Sequence, residues 1–153
     1  MEVKVERFEP ITVASVRHVG PYDQCEAAWM KLMAHPEIQK RMGPDMTCIG
    51  ICYDDPDITG SDKIRMDACI AVDDGFTPEN GVEKQEVKGG EYAVVIHKGP
   101  YSGLHDAYRR FFGTWLPESG REAEASPSLE IYRNSPQDTP ESELLTEIRI
   151  PLK

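Results

Sequence analysis

His18-Val19-Gly20-Pro21-Tyr22 and His97-Lys98-Gly99-Pro100-Tyr101 are two versions of one stretch, set 79 residues apart in a chain of 153. Each closes a run that reads as a strand, Ile11 to His18 and Tyr92 to Lys98, rich in β-branched residues. Each then reaches Gly-Pro, and proline suits the first turn of a helix because its missing N–H is unpaired there anyway. Behind the first copy, Cys25, Ala28, Trp29, Leu32 and Met33 recur at helical spacing. Behind the second, Leu104, Ala107, Tyr108, Phe111, Phe112, Trp115 and Leu116 do the same. Cys25 and Leu104 are again 79 apart, so one unit has been repeated. A duplication of this kind places the expected pocket between the copies.

Working outward, Thr47 to Tyr53 and Ile64 to Val72 read as the remaining strands of the first copy, with Pro36 and Gly43-Pro44 as stop and loop signals. In the second copy, Gly81 to Glu86, Leu129 to Tyr132 and Leu144 to Ile150 are strands, and Pro117 and Gly120 end the helix. Val94, Val95 and Ile96 are contiguous and read as buried on both faces. The expected fold is α+β: a duplicated β-α-β-β module with two helices packed on a mostly antiparallel sheet. The whole of 1–153 is expected to be one domain made of pseudo-repeats 1–79 and 80–153. At the same offset Leu129-Glu130-Ile131-Tyr132 falls on Gly50-Ile51-Cys52-Tyr53, and the offset slips to 80 where Glu147 matches Asp67.

The formal net charge is −10, which argues against nucleic acid, whose phosphates need Lys and Arg, and against an anionic membrane surface. A generic solubilising surface is the simpler reading of this charge, which would also mildly favour a cationic ligand. No apolar run approaches the roughly 20 residues of a membrane helix. The first nine residues lack a signal-peptide core, so a cytoplasmic location is expected. Cys25, Cys48, Cys52 and Cys69 are scattered. Cys48 and Cys52 on one strand would stand about 13 Å apart, too far to share an ion. No metal site is expected, and no phosphate loop, dinucleotide fingerprint or nucleophile elbow points to a cofactor.

Glu130 is the residue that stands out. An acid occupies a short central strand where the first copy has an apolar residue. It is either a glutamate on an exposed strand face or a carboxylate at the foot of an aromatic pocket. In the second case its desolvation is costly unless a cation pairs with it. Trp29, Tyr108, Phe112 and Trp115 on the helices and Tyr53, Tyr92 and Tyr132 on the strands are candidate ligand contacts, since aromatic faces attract cations by roughly 0.5–2 kcal/mol each. The same residues serve equally as core. His18 and His97 lie at strand ends beside glycine and read as local structural groups.

Set in order, Gly20-Pro21-Tyr22, Tyr53-Asp54-Asp55-Pro56, Arg65-Met66-Asp67-Ala68-Cys69-Ile70, Gly89-Gly90-Glu91-Tyr92-Ala93, His97-Lys98-Gly99-Pro100-Tyr101, Trp115-Leu116-Pro117, Leu129-Glu130-Ile131-Tyr132 and Ile150-Pro151-Leu152 span nearly the whole chain. In these pieces the sequence resembles the GyrI-like family, which includes the DNA gyrase inhibitory protein and the effector-binding domains of AraC-type and multidrug-sensing MerR-type regulators. The resemblance implies a ligand cleft between the modules and a lipophilic or aromatic cation held by aromatics around an acid, with Glu130 in that place. It also implies a second reading, hydrolysis of strained electrophilic natural products, in which Glu130 is the general base and Tyr53 or Tyr132 a hydrogen-bond donor. A third is a gyrase-inhibitor-like module that binds a protein. Residues 1–153 are taken up by the two modules without a helix-turn-helix segment, so a freestanding binding protein is the leading expectation, acting in sequestration, sensing or detoxification.

Overall fold

The computed structural model describes residues 1–43 and 45–153; Pro44, half of the expected Gly43-Pro44 loop signal, lies outside the described residues. The chain forms two compact units, each an antiparallel sheet with helices packed on it. One unit is Glu9–Gly89 and the other joins Met1–Phe8 to Gly90–Lys153.

The first unit contains β2 (Ile11–Val19), α1 (Glu26–Met33), α2 (Pro36–Lys40), β3 (Cys48–Cys52), β4 (Arg65–Ala71) and β5 (Glu83–Val87), with strands in the order β3-β4-β2-β5. The second contains β1 (Lys4–Phe8), β6 (Gly90–Lys98), α3 (Leu104–Arg110), α4 (Leu116–Ser119), β7 (Ser128–Tyr132) and β8 (Leu145–Pro151), in the order β1-β6-β8-β7. Sequence repeats and compact units therefore differ by the exchange of two strands. β1 opens the first repeat yet pairs with β6, Lys4 opposite Val94 and Phe8 opposite Gly90. β5 opens the second repeat yet pairs with β2, Ile11 opposite Val87. Alternation told which residues share a face, but a strand's partner is a non-local choice.

The repeated His-x-Gly-Pro-Tyr stretch makes the same turn twice. Gly20 and Gly99 take φ of +136° and +129°, which an L side chain rarely adopts. Their N–H groups donate to Ile64 and Leu144 carbonyls at 2.7 and 2.8 Å. His18 Nε2 then meets the Pro21 carbonyl at 2.8 Å, and His97 Nε2 the Pro100 carbonyl at 3.0 Å. Both histidines staple a strand end to the following helical turn.

The helix stripes supply the cores. Ala28 and Leu32 of α1 and Ile38 of α2 pack on Ala14, Val16, Ala68 and Ile70. Leu104, Ala107 and Phe111 pack on Ala93, Val95, Ile148 and Ile150. Burying each large side chain stabilises by roughly 1.5–3 kcal/mol. Local departures have physical reasons. Pro36 follows the end of α1 at Met33 and also starts α2, because the His35 ring accepts the Glu37 N–H as its cap and proline fits the first helical position. Pro117 lies within the second helix: the turn before it widens over Phe111–Trp115 into a π-helix, with the Leu116 N–H reaching back to the Phe111 carbonyl, and Gly120 at φ +73° closes it. Ile96 is 44% exposed although Val94 and Val95 beside it are buried.

The two units share one hydrogen-bond frame. β2 and β6 match at an offset of 79, but β4 and β8, and also β3 and β7, match at 80. Glu130 opposes Ile148 and Ile131 opposes Glu147, as Gly50 opposes Ala68 and Ile51 opposes Asp67. Glu130 thus corresponds to Gly50, not to Ile51, and Tyr132 to Cys52, not to Tyr53. One extra residue enters upstream of β7, in the span that holds the π-turn.

Candidate functional site: a carboxylate held by tyrosines

β7 is short and has both neighbouring faces filled, so alternation decides everything on it. Leu129 and Ile131 point one way, and Ser128, Glu130 and Tyr132 point the other. Residues directly opposed across an antiparallel pair share a face. Glu130 therefore lies on the same face as Ile148, the face that α3 covers. It is 8% exposed. The Tyr108 hydroxyl, reaching down from α3, donates to Glu130 Oε2 at 2.8 Å. The Tyr132 hydroxyl, two residues along the strand, donates to Oε1 at 2.8 Å. Ser128 Oγ donates to the Tyr108 hydroxyl at a long 3.4 Å. Each carboxylate oxygen thus has one phenol, and among the described residues no Lys, Arg or His forms an ion pair with Glu130.

The other two buried acids are built differently. Asp67 and Glu147 are equivalent residues of β4 and β8, on the faces away from the helices. Asp67 accepts from Arg17 Nε at 2.5 Å, from the Tyr53 hydroxyl at 2.7 Å and from Gln85 Nε2 at 2.9 Å. Burial pushes its carboxyl up, but the hydrogen bonds of Arg17, Tyr53 and Gln85 outweigh it and hold it below the usual carboxylate range. Glu147 sits between Arg133 and Arg149, and its carboxyl is likewise held low against burial. Tyr53 is pushed up to about 12 by burial and then by its bond to Asp67. Its ring is flanked by the Arg17 and Arg65 guanidiniums at 4.8 and 5.4 Å.

The expected site residues consequently divide. Glu130, Tyr132 and Tyr108 come together. Tyr53 belongs to the other unit and is engaged by Asp67. Trp29 packs against the α1 core. Tyr92 is 3% exposed on β6, edge-on to Phe8 at 5.8 Å between centroids. Trp115 stacks on Phe111 at 5.1 Å. Phe112 is 45% exposed and lines an open hollow of about 660 Å³ with Leu116, Pro117, Arg121 and Lys153. Tyr101 was not among the candidates, yet its ring meets Tyr132 edge-on at 5.7 Å. Its place at the end of the repeated stretch was the signal for it.

His35, Glu37 and Glu79 hold their donor atoms within 4.8 Å of one another, close enough to suggest a cation. The ring chemistry argues otherwise. His35 Nδ1 accepts the Glu37 N–H at 3.1 Å, so the neutral ring carries its proton on Nε2, which faces Glu79 Oε1 at 3.6 Å. No lone pair is left there for an ion.

The family model of the GyrI-like small molecule binding domain matches residues 1–153. The chain belongs to this GyrI-like family. A DNA gyrase inhibitor of Escherichia coli K12 is 30% identical over 138 residues, covering 88% of this chain and 87% of that one. Among solved structures, the C-terminal domain of EcmrR aligns at a TM-score of 0.77 with 21% identity over 99% of this chain and 97% of that one. A hydrolase from Listeria innocua aligns at 0.74 with 14% identity, covering 99% and 92%. A protein solved bound to tetraphenylphosphonium aligns at 0.65 with 14% identity, covering 100% and 94%. At these identities the solved structures speak for the fold, which is the α+β arrangement expected. A small-molecule-binding role follows from the family, and no described helix of this GyrI-like chain is long and apolar enough to cross a membrane.

Proposed function

We propose that this GyrI-like protein binds a lipophilic or aromatic cation at Glu130, under Tyr108, Tyr132 and Tyr101. The observation that carries the reading is a buried carboxylate held by two phenols and, among the described residues, by no Lys, Arg or His. Phenol hydrogen bonds orient and partly solvate such a group, but they leave its charge unmatched. An entering cation at about 4 Å gains roughly 4 kcal/mol at an effective dielectric near 20, before desolvation is subtracted. The tyrosine faces add about 0.5–2 kcal/mol each. The net charge of −10 favours the encounter. The structural relative that holds tetraphenylphosphonium fits the same reading.

Hydrolysis of a reactive electrophile is the second reading. A buried carboxylate fixed between two hydroxyls is also a general base with donors beside it. One titration separates the two: tryptophan fluorescence against tetraphenylphosphonium and a panel of strained electrophiles, with each compound recovered for mass analysis. Saturable binding that Glu130→Gln weakens at least tenfold, with compounds returned intact, is the expected result. Unchanged affinity in Glu130→Gln removes the acid from the site, and a hydrated product makes the protein an enzyme.

A further inference from the structure

Thr146 Oγ1 is a buried polar atom with no hydrogen-bond partner, in a residue that is 0% exposed. Buried hydroxyls nearly always find a partner, so an orphan asks what completes it. The other such atom among the described residues, His35 Nε2, at least faces Glu79. Thr146 has a more telling position. It opposes Tyr132 on β7 and His97 on β6, and so lies on the Glu130 face of the sheet. Glu130 opposes Ile148, which makes Thr146 its diagonal neighbour, about 7–8 Å away. The fold does not require a hydroxyl there: the equivalent residue of the other unit is Met66, 2% exposed. Tyr132 and the 38% exposed Tyr101 make the edge contact beside it.

We propose that Thr146 is a specificity-determining residue of the Glu130 site, selecting cations that also carry a hydrogen-bonding group. The inference rests on the cation reading of Glu130 and names the ligand class more closely. A ligand that parts Tyr101 from Tyr132 uncovers the hydroxyl and supplies the partner it lacks. A cation with no polar arm fills the same space and leaves Thr146 orphaned.

The test uses two matched compounds, para-hydroxymethyl-benzyltrimethylammonium and its para-ethyl counterpart, titrated calorimetrically into the full chain. The wild type is expected to bind the hydroxymethyl compound about fivefold more tightly, the scale of one net hydrogen bond. Thr146→Val, which is near-isosteric, should erase that preference by weakening the hydroxymethyl compound alone, with the thermal midpoint unchanged or raised. Thr146→Ser should keep the preference, and serves if the valine variant folds poorly. Glu130→Gln should weaken both compounds together. A preference that survives Thr146→Val, is lost in Thr146→Ser, or is absent from the wild type overturns the inference while leaving the cation reading standing. A wild type that binds neither compound overturns the cation reading, and the inference with it.

Discussion

The two units use one backbone frame for different ends. On the helix face of one, Ser128, Glu130, Tyr132 and Thr146 line up beneath Tyr108. The matching positions in the other are Cys48, Gly50, Cys52 and Met66, beneath Trp29. Five polar groups in one copy correspond to five apolar or small ones in its twin, and both copies pack a core from the same helix stripe. Polarity on that face is therefore no demand of the fold. On the opposite faces the copies agree instead: Asp67 and Glu147, equivalent acids, are both matched by arginine. Acids that belong to the architecture bring their own cation, and the acid assigned here to a ligand does not.

The largest test of that contrast is to move the acid into the plain copy. Gly50→Glu puts a carboxylate where Trp29 and Cys52 stand in for Tyr108 and Tyr132, so neither phenol is there to receive it. The expected cost is about 3–5 kcal/mol in urea unfolding, or a failure to fold. A neutral result would mean that this face tolerates charge without tyrosines, and the comparison would lose its meaning.

Removing acids comes next. Asp67→Asn strips the partner from Arg17, whose side chain is 48% exposed, and should cost about 2–3 kcal/mol, at the low end for a broken buried pair because the guanidinium keeps half its water. Glu130→Gln should cost under about 1 kcal/mol, since no cation is orphaned and the amide oxygen can still accept one phenol. Equal losses would make Glu130 an architectural acid like the others.

pH sharpens the same point. Asp67 and Glu147 have folded values below their ordinary ones, so their stabilisation is full above the usual carboxylate range, near pH 4, and is lost as the pH falls through the lowered values. Unfolding free energy should decline steadily below about pH 5, and this slope should shrink in Asp67→Asn. An acid slope that Asp67→Asn leaves unchanged would contradict the role given to that pair.

Much of this was readable in the chain, and the exceptions share a cause. The His-Gly-Pro-Tyr repeats, the helix stripes and the strangeness of Glu130 all rest on local periodicity. What escaped depends on partners far away in sequence. Arg17 and Asp67 are 50 residues apart, and nothing in either neighbourhood marks the pair. The exchange of β1 and β5 between repeats is invisible because an alternating strand fits any edge with the right face. The Ile51 alignment of Glu130 missed by one residue, and in a strand one residue turns every side chain over. In the observed register the counterpart of Tyr53 is Arg133, a partner of Glu147, so Tyr53 stands with the arginine-matched acids.

The smallest expected effect, that of Ser128→Ala, belongs to a test of how the phenols are held. Ser128 Oγ reaches the Tyr108 hydroxyl at 3.4 Å, near the limit of a hydrogen bond, whereas Tyr108 meets Glu130 at 2.8 Å. Short bonds to a charged acceptor carry more than long ones between neutral hydroxyls. Tyr108→Phe should therefore cost about 1–2 kcal/mol, because it leaves Glu130 Oε2 without that donor, and Ser128→Ala under about 0.5 kcal/mol. The ordering also bears on binding. If the phenols only orient the carboxylate, Tyr108→Phe should lower affinity for a cation less than Glu130→Gln does, since the charge that attracts the ligand remains. A Tyr108→Phe variant that binds as poorly as Glu130→Gln would shift the weight of recognition from the acid to the ring and hydroxyl above it.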